Sequence, residues 1–374
     1  MRNSLIPHAL LVVLLLTSMV MKPCRYRWLM WLLIVGLAPF IFFSQPSSDP
    51  STNAIVRHLF TNYIFVAFDF IVLTDVQNEL RQSGQGKPIS NAPFWARLRW
   101  AFQLFFSARG VGWSHEPKGV LPPHPRITRR HFLASQGFWL VFYVLLIDAV
   151  HCIGAHTSVF TERSIPTSSQ PWHWRFWALL LFGIRSVACI NVPHIVLSIV
   201  SVGGCMTEPK GWPPLFGNFN DAYTVRQFWG RTWHQSLRRV VSSPGKHLAR
   251  RLRFSPGSQK SCYTQLFVAF IMHGVLHMQP TDFRPLYFFL AQPVAMSLEA
   301  VVIAVAARIG YHSPTSVYRI FGHIWVCCWF AFCVSDYMDS LISWGMLDAP
   351  FNIGLTSEIL RHSGVVKNNN ILSS

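Results

Sequence analysis

Charged residues are scarce in this chain, and acids scarcest: 15 Asp and Glu stand against 32 Lys and Arg, and only 13% of the 374 residues are charged. Soluble globular proteins carry about 25% charged residues, so the shortage points away from a single water-soluble core. The few acids are also poorly grouped. DYMD, from Asp336 to Asp339, is a lone D-x-x-D, too little for the aspartate-rich pairs that would clamp a diphosphate through magnesium. The eight cysteines form no C-x-x-C and no zinc spacing. Cys189, Cys327, Cys328 and Cys333 sit inside apolar segments, where they read as small hydrophobes rather than ligands or disulfide partners. Neither a glycine-rich phosphate loop nor a G-x-S-x-G nucleophile elbow is found, and the chain has no internal repeat.

What is abundant is apolar and aromatic. Hydrophobic residues make up 51% and aromatics 14%, with 15 Trp and 30 Phe. The net charge of +17 falls between long apolar runs rather than on one solvated face, which suits the cytoplasmic loops of a membrane protein better than a nucleic-acid surface. A helix needs about 20 apolar residues to cross a hydrocarbon core. Runs of that kind lie near 5–21, 28–43, 55–74, 132–150, 176–202, 262–279, 285–307 and 320–340. Arg2 precedes the first run as in a secretory signal, but no small-residue cleavage site follows at Thr17 to Met21, so a retained helix is expected.

Loop charge tests this division. Residues 76–131 hold nine Lys and Arg against Glu79 and Glu116, and 203–261 hold ten against Glu208 and Asp221. Both loops are expected in the cytosol with the short loop 22–27, while the weakly charged 44–54 and 151–171 face the other side. The spans alternate under these assignments. The predicted fold is an all-α polytopic bundle of about eight spans. Its parts are N-terminal spans (1–75), a basic interfacial segment (76–131), further spans (132–202), a basic Trp- and Arg-rich segment (203–261), C-terminal spans (262–345) and a tail (346–374). The polar end from Val365 reads as disordered. FWARLRWAFQLFF, at 94–106, has the amphipathic pattern of an interfacial helix, and the Trp212 to Arg239 stretch is expected to pack against or dip into the membrane.

Two places concentrate groups able to do chemistry. FIMHGVLHM puts His273 and His277 four residues apart, on one face of a helix inside an apolar run. An intramembrane histidine is a functional-site hypothesis, although it can also simply bond to a neighbouring helix. Metal ligation by the pair would need companion histidine boxes. His151 and His156 are five apart, and His173, His194, His234 and His323 are isolated, so no metal site is expected. RQFWGRTWHQSLRR, from Arg226 to Arg239, reads in two ways: arginines snorkelling to lipid phosphates beside an aromatic belt, or arginines holding a phosphorylated co-substrate beside an apolar one. The scattered acids Asp69, Asp75, Asp148, Glu299, Asp336 and Asp339 are expected at solvated helix ends or in internal pairs.

FWGRTWHQSLRR followed some forty residues later by F-x-x-x-G-x-x-H resembles the wax-synthase-like branch of the membrane-bound O-acyltransferases, in particular the fungal enzymes that acylate terpenoids and meroterpenoids. FDFIVLTDVQNELRQ, FFSARGVGWSHEPKGVLPP, EPKGWPPLFGNFNDAYTVRQFWGRTWHQ and RIFGHIWVCCWF look like segments of the same branch, so the likeness extends over most of the chain. The resemblance implies that His277 is the catalytic base and His234 the second polar position. It implies Arg226, Trp229, Arg231, Trp233, Arg238 and Arg239 at the site for the co-substrate acyl-CoA, acetyl-CoA in this branch. It also implies a hydroxylated apolar acceptor, an endoplasmic-reticulum membrane, and no bound cofactor. The branch usually has Ser where this chain has His273, and its last span is less polar than Ser335, Asp336 and Tyr337 make this one. If the sixth span starts near Cys262, His277 lies roughly 22 Å from the cytosolic end, so the co-substrate needs a tunnel. Long-chain wax or sterol ester synthesis, and a transporter with histidines along its pathway, stand as the alternatives.

Overall fold

The protein is described from a computed structural model covering residues 5–43, 45, 47–157, 159, 165–310, 315–347, 354 and 356. The polar end from Val365 lies outside the described residues. In chain order the helices are α1 (Ile6–Val20), α2 (Trp28–Phe43), α3 (Pro50–Ala67), α4 (Val76–Glu79), α5 (Phe94–Phe105), α6 (Arg129–His156), α7 (Trp172–Gly203), α8 (Val225–Gln227), α9 (Arg238–Arg251), α10 (Gln259–His277), α11 (Arg284–Arg308), α12 (Ser316–Cys333) and α13 (Ser335–Ser343). No β-strand occurs among the described residues, so the fold is all-α as the sequence predicts.

Five helical stretches are long and apolar enough to cross a bilayer: α3 with its π-helical continuation to Leu73, then α6, α7, α11 and α12. The eight predicted runs therefore differ in kind. α1 and α2 are apolar but shorter. α10 has the length, yet Gln259, Lys260, Ser261, Thr264, Gln265 and its two histidines keep it out of the apolar five. The last run is interrupted: α12 stops at Cys333, and α13 restarts with Ser335, Tyr337 and Ser340 all buried. Phe138, Val141 and Phe142 on α6, Val301, Val302 and Val305 on α11, and Val317, Ile320, Phe321 and Ile324 on α12 are exposed. A surface of that kind is stable only against lipid, and the protein is an integral membrane protein.

The chain forms two compact units, one of Met1–Pro123 with Pro214–Val326 and one of His124–Pro213 with Cys327–Ser374. In the second, α6 packs on α7 around Ile147, Ala188 and Val192. Two acids, Asp148 buried and Asp339 half-buried, bind backbone there. Asp339 accepts from the N–H of Thr167 at 2.9 Å and from its hydroxyl, and Asp148 accepts from the N–H groups of Gly354 and Thr356. Those acids are internal partners of chain turns, as expected of acids in apolar runs.

The first unit has a core of Leu11, Leu15, Met19, Ile34, Ile64, Trp100, Leu104 and Trp113, drawn from α1, α2, α3, α5 and the loop after it. The Asp49 carboxylate caps α3 by accepting from the N–H groups of Ser51 and Thr52, with Pro50 in the first turn. At its other end α3 widens into a π-helical turn, Phe68–Leu73, closed by Thr74 N–H donating to the Asp69 carbonyl at 2.9 Å. α5 is the amphipathic helix predicted at 94–106. The Trp-rich stretch is not a helix of that kind: it consists of short turns with a second π-helical segment, Phe228–Thr232, and the amphipathic helix of that loop is α9, which follows it. α10 is held between α9 and α11.

Glycine makes both contacts close. A Cβ on Gly245 of α9 would sit 2.9 Å from the Cα of Gln265, and one on Gly274 of α10 would sit 2.9 Å from the Cα of Leu286. Helices in a bilayer associate by such small-residue contacts. Gly245→Val is therefore expected to destabilise the protein by about 1–3 kcal/mol through overpacking, read as a lower melting temperature in detergent. An unchanged melting temperature would contradict the packing described.

Candidate active site

Four histidines of the first unit meet at the end of α10. His273 and His277 stack at 5.2 Å between ring centroids, and both lie against Phe289 of α11, at 4.4 and 4.9 Å. Gly274 permits this, because it lets α11 approach between the two histidine turns. The His58 ring of α3 is 4.5 Å from His277. His234, just after the π-helical segment Phe228–Thr232, joins them through two indoles: Trp233 is 5.5 Å from His234 and 6.1 Å from Trp229, which is 5.8 Å from His273. Each of the four residues is half-buried. The two residues singled out for catalysis, His277 and His234, are thus brought to one place.

Aromatic rings enclose this place. Trp229 meets Phe270, His273, Phe288 and Phe289 edge-on or tilted at 5.7 to 6.3 Å, and its indole N–H donates to Gln292, which has no exposed surface. Trp233 stacks on Phe228 at 5.4 Å and stands 5.5 Å from His234, whose other neighbour is Phe216. Trp229 and Trp233 are therefore walls of the histidine site.

The arginines separate into two kinds. Arg226, Arg231 and Arg238 are exposed, Arg238 donating on one edge to the Gly230 carbonyl and Gln235. Arg239 is occupied: its Nε is 2.6 Å from the carboxylate of Asp69, which has no exposed surface, and a second nitrogen donates to Thr74 at 3.0 Å. Of the arginines assigned to the co-substrate on sequence, this one answers a buried internal charge instead.

Two further residues organise the segment. Glu299 of α11 accepts from the N–H groups of Val225 and Arg226 and from the indole N–H of Trp325, satisfying backbone donors at the start of α8. Gly217 lets its loop close on the π-helical turn, its N–H donating to Thr232 at 2.9 Å where a Cβ would meet the Arg231 carbonyl. Neither follows from local sequence, since Glu299 and Val225 are 74 residues apart. Among the described residues, no three His, Cys, Asp or Glu side chains are grouped to hold a metal ion.

Comparison with known proteins identifies the family. The model of the membrane bound O-acyl transferase family matches residues 212–281, which contain the Trp-rich segment and all of α10. An acetyltransferase of Rhodocybe pseudopiperita, ple2, is 35% identical over 342 residues, covering 88% of this chain and 89% of its own length. The chain belongs to the membrane-bound O-acyltransferase family. The acetyltransferase eriL of Hericium erinaceus is 29% identical over 87% of both chains. The O-mevalon transferase macI of Penicillium terrestre is 28% identical over 68% of this chain and 62% of its own. No solved structure matches. The protein is accordingly a membrane-bound acyltransferase, and family membership decides against the transporter reading.

His234 carries an electrostatic signature. Burial, reinforced by His58 and Arg109 nearby, lowers its pKa to about 4, and its Nδ1 has no hydrogen-bond partner. Burial beside the Arg239 guanidinium lowers His115 to about 4 as well. Both rings are neutral in the folded protein at pH 7. Their ordinary value is 6.5, so between about 6.5 and about 4 the unfolded chain binds more protons, and stability falls as pH drops through that window. The melting temperature in detergent should fall from pH 7 to pH 4.5, and His234→Asn should flatten that fall; identical pH dependence in variant and wild type would contradict the burial of His234. The Asp69–Arg239 pair gives a second expectation. Asp69→Asn leaves Arg239 facing a neutral amide and should cost roughly 3–5 kcal/mol, read as a melting shift, whereas wild-type stability would show the pair to be dispensable.

Proposed function

We propose that the protein transfers an acetyl group from acetyl-CoA to a hydroxyl of an apolar terpenoid or meroterpenoid intermediate of secondary metabolism, at the endoplasmic-reticulum membrane. The observation that carries this reading is the meeting of His277 and His234 inside one aromatic enclosure. The names of the relatives ple2 and eriL, both acetyltransferases, support the acyl group. The closeness of Phe289 and Trp229 to the histidines also favours a short acyl chain over the long chains of wax or sterol ester synthesis.

An alcohol, with a pKa far above 7, is a poor nucleophile at neutral pH. Neutral His277 takes the hydroxyl proton as the oxygen attacks the thioester carbonyl carbon. A C–O bond forms, and the carbonyl electrons move to oxygen as a tetrahedral oxyanion. The neutral His234 ring, with its unpartnered Nδ1, suits a donor to that oxyanion. Collapse restores the carbonyl and breaks the C–S bond. His277 then returns its proton to the departing sulfur, giving the ester and free coenzyme A. No covalent enzyme intermediate is needed, because the thiolate is already a good leaving group. Exposed Arg226, Arg231 and Arg238 are placed in this reading to meet the coenzyme A phosphates, by paired hydrogen bonds from the guanidinium fork. Arg239 serves by holding Asp69.

Membranes carrying the wild type or His277→Ala, supplied with labelled acetyl-CoA and a panel of terpenoid alcohols, test the assignment. The wild type should form labelled ester, and the variant should lose at least about 100-fold of that activity, as expected for a general base. Full ester formation by His277→Ala would overturn the assignment of the base.

A further inference from the structure

A third imidazole reaches the end of α10 from a helix far away in sequence. His58 lies on α3, and its ring is tilted 44° to that of His277 at 4.5 Å between centroids. One of its ring nitrogens faces the backbone carbonyl of Leu276, the residue directly before His277. The last carbonyls of a helix have no partner within it. In α10 the Gly274 carbonyl is met by the N–H of Met278, while that of Leu276 faces this side chain from another helix.

His58 therefore touches His277 twice, through the backbone of the preceding residue and through the ring. His273 and Phe289 stack on the same imidazole at interplanar angles of 12° and 23°. A ring gripped in this way keeps one orientation. The His58 nitrogen that faces Leu276 must carry hydrogen, so in the neutral ring the other nitrogen is an acceptor only. The tilt between the rings is that of a packing contact, so His58 acts on the placement of His277 and is not itself a second base. Base catalysis is sensitive to such placement, because an error of about 1 Å in the reacting geometry costs on the order of 100-fold in rate.

We propose that His58 is a positioning residue for the acyl transfer, fixing the last turn of α10 and the plane of the His277 ring. The proposal rests on the reading of His277 as the base, and the test separates the two. His58→Phe keeps a ring and removes the donor. His58→Asn and His58→Gln restore an amide N–H near the places of Nδ1 and Nε2 respectively. Steady-state kinetics are compared at equal amounts of folded protein, judged by melting in detergent, with His277→Ala alongside.

The expected result is a roughly 10- to 100-fold lower kcat for His58→Phe, with KM for acetyl-CoA within about twofold of wild type. At least one amide variant should exceed it in kcat at the same KM. Wild-type kcat in His58→Phe, with His277→Ala inactive, overturns the role of His58 alone. Equal impairment in the Phe, Asn and Gln variants also overturns it, since bulk rather than the donated hydrogen bond would then be at work. Full activity in His277→Ala removes the base and the positioning role together. If His58→Phe does not accumulate, His58→Met takes its place with the same expected outcomes.

Discussion

Asp69 is a carboxylate with no exposed surface, and Arg239 answers it at 2.6 Å. An uncompensated charge at that depth would not be tolerated, so the pair fixes where the end of α3 and the start of α9 meet. The consequences run in both directions along the chain. α3 carries His58, and its π-helical end holds Asp69 and, through Thr74, a second contact to Arg239. α9 lies against α10 across Gly245, and α10 carries His273 and His277. The residues just before Arg239 are those of the Trp-rich segment, anchored to α11 by Glu299. One ion pair thus links the elements that contribute every histidine of the site.

π-helical turns recur at this junction. One precedes Asp75 at the end of α3 and the other precedes His234, each closed by a backbone bond spanning five residues, from Thr74 to Asp69 and from Trp233 to Phe228. Such turns carry an extra residue per turn and are common where a helix must aim a side chain. Here they turn Asp69 inward and set His234 beside the aromatic walls. The chain supports them with polar contacts: Gln77, with no exposed surface, donates to the carbonyls of Met19 and Met21 at the end of α1, and Arg27 pairs with Asp75.

The all-α architecture and most helices were legible, because apolar runs of span length and basic loops are local signals. The family was legible through a resemblance, because FWGRTWHQSLRR together with F-x-x-x-G-x-x-H was specific enough to carry it, and the proposed roles of His277 and His234 rest on that resemblance. The glycine of that second motif has a physical reason, the close approach of Leu286. What sequence did not disclose are partnerships over long separations. Arg239 looked like its exposed neighbours, and only a carboxylate 170 residues away distinguishes it. His58, in the unremarkable stretch RHLF, gave no signal until α3 was packed on α10. The polarity of the last run concealed a break, since Ser335 and Ser340 are buried in a separate short helix.

The proposed mechanism requires acyl transfer at His277 within the aromatic enclosure. An experimental structure of the protein in a lipid nanodisc with a non-cleavable thioether analogue of acetyl-CoA measures it most directly. The carbon that replaces the thioester carbonyl is expected within about 4 Å of the place where an alcohol bonded to His277 would sit, with the phosphates at Arg226, Arg231 and Arg238. An analogue whose reactive end lies away from both His277 and His234 would contradict it.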